Sequence, residues 1–269
     1  LIFGKLGLPK MGIRGAALAT LASQIVNFLF ILLGFVLLEK KEGQKPIWSL
    51  RFEKLTHRGY ILMILPILVS EFLWSLGQNV ESAVYGHLGS GSLAAYTLTC
   101  PVQGLMVGAL SGLSAAAGVL IGKRLGQKDY ERAYRESKKI LLSGLLGAAA
   151  VSAGLIALSG AYTGLYRVEP AVQQLGKTLL TVFALYAPVK VQNMILGGGI
   201  LRSGGNTRLI MTIDILGTWL VGIPLCLFAA YVLHWGIVGV YALLTGEELF
   251  RLAVSMAVFK KKTWMVSLA

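Results

Sequence analysis

The chain is 269 residues long, 55% hydrophobic and only 14% charged, where soluble domains carry about 25% charged residues. Together with a mean hydropathy of +0.71 this excludes an ordinary soluble domain and points to an integral membrane protein. The net charge of +13 does not argue for nucleic acid, because Lys and Arg fall in short stretches between apolar runs.

The chain opens LIFGKLGLPKMGIRG, with neither an initiator Met nor the short apolar core of a signal peptide, and so reads as the interior of a longer protein. Seven apolar runs follow, each near the roughly 20 residues needed to span a bilayer. They cover about 15–38, 60–86, 93–121, 140–164, 174–201, 209–233 and 236–259. Eighteen of the 25 Lys and Arg residues lie in 39–59, in 122–139, at Arg202 and Arg208, and at Lys260–Lys262. Five lie on the opposite side, and Lys190 and Arg251 lie within spans. By the positive-inside rule the basic side, and with it the C-terminus, is cytoplasmic, in a multi-pass protein of the inner (plasma) membrane. The basic stretch 122–139 reads either as an amphipathic helix on the membrane surface or as a solvated loop.

KMGIRGAALATLASQ at 10–24 resembles HWGIVGVYALLTGEE at 234–248, with Gly12 and Gly15 matching Gly236 and Gly239. Two copies of one orientation, six spans apart, imply a parallel internal repeat, a plan common among transporters. Residues 1–38 then hold the last helix of one lobe, 39–59 a cytoplasmic linker, and 60–269 a complete six-helix lobe. Gly104, Gly108 and Gly112 form one small-residue stripe and Gly118 with Gly122 another, which predicts close helix packing at both.

The candidate site begins at Glu71 in the second span, five residues after Pro66. About eleven residues from the start of that span at 1.5 Å each puts it about 16 Å deep, near mid-membrane. A lone carboxylate there is a functional site by default. Lys190 in the fifth span, just after Pro188, sits at matching depth and is the natural partner of Glu71; a purely structural bridge is the alternative. Trp74 and Gln78 follow Glu71 on its helix face, and Tyr186 and Asn193 flank Lys190, giving a mixed polar and aromatic lining. Asp214 could bind, cap or snorkel. Glu81, ten residues past Glu71, reads as a solvated interfacial acid. Glu247 and Glu248 have Arg251 at helical ion-pair spacing, which favours a structural role. GGGILRSGGNTR lacks the ending of a phosphate loop and reads as a cytoplasmic turn. Neither metal-ligand spacing nor a nucleophile–base pair can be placed, so no enzyme, metal or cofactor is expected.

At LPKMGIRGAALAT, LPILVSEFLWSLGQNVESAVYGHLGSGSLAAYTL, GLSAAAGVLIGKRLGQKDYERA, GILRSGGNTRLIMTIDILGTWLVGIPL and the tail KKKTW, the chain resembles the multidrug and toxic compound extrusion (MATE) transporters. The resemblance implies an all-α membrane protein with one complete six-helix lobe, preceded by the last helix of an N-terminal lobe that is the missing partner. It implies export of small organic cations and drugs, driven by inward H+ or Na+ as coupling ion. The membrane-embedded Glu of the family's seventh helix corresponds to Glu71. Lys190 stands where other members use an acid, and Asn206 stands where GGDTR is usual. A lipid-linked oligosaccharide flippase of the same superfamily, or an intramembrane enzyme, are the competing readings. The expected partners are membrane lipid and the small cations, with no nucleic acid.

Overall fold

The computed structural model describes residues 11–42, 57–205 and 207–265. Among the described residues the fold is all-α, in seven rods. These are α1 (Gly12–Glu42), α2 (His57–His87), α3 (Ser90–Gly126), α4 (Tyr130–Gly164), α5 (Pro170–Leu201), α6 (Thr207–Val232) and α7 (Ile237–Lys261). Five of them, α1 and α3 to α6, are long and apolar enough to cross a membrane. The other two carry their charges in mid-helix: Glu71 and Glu81 in α2, and Glu247, Glu248 and Arg251 in α7.

The chain divides into two compact units, Leu1–Tyr60 and Ile61–Ala269. The first holds α1, largely exposed along its described side chains. Gly12 is the first residue of α1 and Gly236 the N-cap of α7, so both members of the sequence repeat open a helix. Most of the linker expected over 39–59 lies outside the described residues, as does Asn206.

In the second unit short connections make successive helices run antiparallel. The α4 helix packs along α5, α3 packs on both, and α7 lies between α5 and α6. Side chains join α2 to α6: the Trp219 indole N–H donates to the Leu73 carbonyl at 3.3 Å. Two apolar clusters close the ends. Tyr85, Phe183, Val240 and Tyr241 pack at the end where α2 finishes, and Ile121, Leu125, Ile195, Phe259 and Trp264 at the basic end.

Three stretches are wound as π-helix: Met194–Leu201 in α5, and Leu216–Gly222 and Phe228–Val232 in α6. Such winding is rare and tends to occur beside functional sites. Here glycine makes it compatible with close packing. A Cβ on Gly199 would stand 2.5 Å from the Ser114 carbonyl oxygen, and the Ser114 hydroxyl donates to the Met194 carbonyl at 2.6 Å. GGGILRSGGNTR is therefore mostly the end of α5, and its turn is confined to the residues around Gly204 and Gly205, the latter at φ 78°.

Two further expectations are corrected. No helix lies along the surface at 122–139: α3 runs to Gly126, α4 starts at Tyr130, and only three residues, 127–129, join them. Asp129 caps α4 by accepting from the Arg132 amide at 3.1 Å, and Arg124 bridges to Glu136 at 3.0 Å, so the basic residues sit on two extended helix ends. Of the glycine stripes, Gly118 and Gly122 pack on Gly199 and Ser203 as predicted, whereas Gly104, Gly108 and Gly112 face nothing within 4 Å.

Candidate functional site

A cavity of about 330 Å³ opens between α2, α5, α6 and α7, with Val107 of α3 also on its wall. Its wall combines Glu71, Asp214 and Glu248 with Lys190, Arg202 and Arg251, over an apolar surface that includes Trp74, Met194, Ile210 and Ile213. The chain thus brings five of its seven candidate residues together: Glu71, Trp74, Lys190, Asn193 and Asp214. Gln78 and Tyr186 are not on this wall.

The pairing within the wall differs from the sequence expectation. Lys190 Nζ donates to Glu248 Oε1 at 2.9 Å, and Asn193 donates to Glu248 Oε2 at 2.8 Å. Lys190 is therefore bonded to α7 instead of to Glu71. The reason is proximity: α5 packs directly against α7, whereas α2 stands across the cavity. Glu247 pairs with Arg251 one turn on at 3.2 Å, as the helical spacing predicts, and Arg251 also donates to Thr218. Gly217 and Gly222 make room for this cluster, because a Cβ at either would run into Arg251 or Glu247. Helical spacing cannot see a partner fifty-eight residues away, so it assigned Glu248 to Arg251.

Two acids of the wall are left without a cation among the described residues. Asp214 accepts from the Ser70 hydroxyl at 3.1 Å and makes no ion pair. Glu71 faces the cavity and, among the described residues, has neither hydrogen bond nor ion pair. Arg202 at the other end of the wall has a buried Nε without a partner. The arrangement offers a carboxylate free to exchange ligands, beside an aromatic and apolar surface, with the nearby ammonium already occupied.

Sequence reasoning missed Ser70, Arg202, Glu248 and Arg251 as lining residues. Periodicity could have offered Ser70, which adjoins Glu71, but the packing of α5 on α7 has no local signal. Glu81 is also corrected. Its residue is 4% exposed, and its carboxylate accepts from Gln78 Nε2 at 3.1 Å, because the part of α2 that carries Glu81, Val84 and Tyr85 is buried.

The family model MatE matches residues 66–228, more than half of the chain, and covers α2 to α6 with Glu71, Lys190 and Asp214. The chain belongs to the MatE family. This is a family of transporters, not of enzymes, and the chain is a multi-pass membrane protein. Similar chains include the uncharacterized transporter YisQ of Bacillus subtilis, 22% identical over 98% of this chain and 58% of that one. The probable multidrug resistance protein NorM of Thermotoga maritima is 23% identical over 98% of this chain and 56% of its own length. The multidrug resistance protein MdtK of Yersinia pseudotuberculosis is 27% identical over 83% of this chain and 49% of its own. The chain thus spans about half the length of the curated relatives it matches. A MOP superfamily transporter from Pyrococcus furiosus has the same fold over 78% of this chain and 46% of its own, with a TM-score of 0.71 and 21% identity.

Proposed function

We propose that this chain is one lobe, with the last helix of a second, of a cation-coupled multidrug exporter of the inner membrane. The single observation that carries the reading is Glu71, a carboxylate on the wall of a cavity between helices that has no partner among the described residues. An unpaired charge within the hydrocarbon layer is costly unless it can bind something. Trp74 beside it supplies an aromatic face, which attracts organic cations. One carboxylate that takes either a proton or Na+ or a drug cation couples the two movements by competition, and the cycle becomes an exchange.

Membership of MatE and relatives named as multidrug resistance proteins support the class of cargo. The basic residues at one end of the second unit support a cytoplasmic C-terminus. The flippase alternative is less well supported, since the wall carries three acids against three bases instead of a basic excess.

The test is efflux of a fluorescent organic cation from cells producing the protein, with Glu71→Gln as the variant. Ion-driven efflux falls to the background of cells lacking the protein, while the amount in the membrane is unchanged. Efflux at the unsubstituted rate would reject Glu71 as the exchange site.

A further inference from the structure

We propose that Glu81 is a second proton-binding site, separate from the cavity acids and placed between them and the end of α2 at His87. Glu81 lies ten residues beyond Glu71, about 15 Å along the helix, and is not on the cavity wall. The inference rests on the reading of the chain as an ion-coupled exporter and names where in it a proton is held.

The burial of Glu81 is the first observation. At 4% exposed, its one hydrogen bond comes from Gln78 Nε2 at 3.1 Å, and it makes no ion pair. The charged groups whose field reaches it are Glu247, Glu248 and Arg251 of α7 and Lys190 of α5. These four are already matched, Glu248 with Lys190 and Glu247 with Arg251. Among the described residues no cation is left over for Glu81. The other titratable neighbours are Tyr85 on α2, Tyr96 on α3, Cys226 on α6 and Tyr241 on α7, none of them cationic.

Burying an isolated carboxylate costs far more than burying the neutral acid. A proton from water that bonds to one carboxylate oxygen removes that cost and leaves the Gln78 bond in place.

The second observation marks a direction. The Tyr85 hydroxyl is buried with no hydrogen-bond partner, one helical turn beyond Glu81 towards His87. Tyr85 contacts Tyr96 with ring centroids 4.8 Å apart, and Tyr241 donates to Gln103 at 3.3 Å, so polar groups continue from Glu81 towards that end. The Tyr85 hydroxyl therefore keeps a spare donor and acceptor on that side of Glu81.

Infrared difference spectroscopy of the chain in lipid bilayers, stepped between acidic and alkaline pH, tests this without requiring transport. The expected signal is the carbonyl band of a protonated, water-shielded carboxyl group, shifted down in D2O. Glu81→Gln removes that band and Glu71→Gln leaves it. Gln78→Leu keeps the band but moves it up in frequency, since the hydrogen bond is lost. Survival of the band in Glu81→Gln overturns the proposal. Should Glu81→Gln fail to fold by circular dichroism, a band that does not move in Gln78→Leu overturns it equally. Loss of efflux in Glu71→Gln is measured separately, so the two proposals can fail independently.

Discussion

The Lys190–Glu248 pair decides how the cavity is charged. Glu248 is 5% exposed and has two hydrogen bonds, from Lys190 and Asn193, so its charge is compensated in place. That leaves the Lys190 ammonium unavailable to Glu71. Removing one partner of a fully buried pair costs about 3–5 kcal/mol, because the other charge is stranded. The Lys190 side chain is 37% exposed, so the cost here falls below that range, to about 2 kcal/mol. Glu248→Gln is expected to destabilise the protein by about that amount in detergent unfolding. Combining it with Lys190→Met is expected to cost less than the sum of the two single changes. Strict additivity would mean that the two residues act independently.

At the scale of helices, glycine spacing decides which faces meet. Gly204 lies against the Trp264 backbone carbonyl, where any Cβ would collide with atoms that cannot rotate away. Trp264 is itself fixed, 1% exposed, stacked on Phe259 and donating to the Phe259 carbonyl at 3.2 Å. Gly204→Ala is expected to lower the thermal unfolding midpoint by several degrees, about 1–3 kcal/mol for an overpacked site. Gly104→Ala, with nothing within 4 Å, is expected to be neutral or to stabilise α3 by up to about 1 kcal/mol. Equal loss from both would mean that the two glycines are packed alike. The sequence made the stripe of Gly104, Gly108 and Gly112 look equivalent to that of Gly118 and Gly122, since spacing reports a face but not what covers it. It was more reliable where a signal is local: helix type, the basic ends and the Glu247–Arg251 pair all follow from hydropathy, charge and the four-residue period. The partner of Lys190 and the burial of Glu81 did not, because both depend on how distant helices pack.

At the scale of the whole molecule, the six antiparallel helices of the second unit hold a cavity whose one unpaired, cavity-facing carboxylate without a hydrogen bond among the described residues is Glu71. Everything else charged on the wall is bonded across helices, Arg251 through Thr218, or, like Arg202, lies at its far end. The account therefore predicts that a drug cation and the coupling ion contend for one group. The most direct measurement is equilibrium binding of a radiolabelled organic cation to membranes containing the protein, over a range of proton and sodium concentrations. Binding is expected to weaken as the coupling ion rises, and in Glu71→Gln to fall at least tenfold, a loss of about 1.4 kcal/mol, and to become insensitive to that ion. Undiminished binding in Glu71→Gln, still displaced by the ion, would contradict the account and move the exchange site to Asp214.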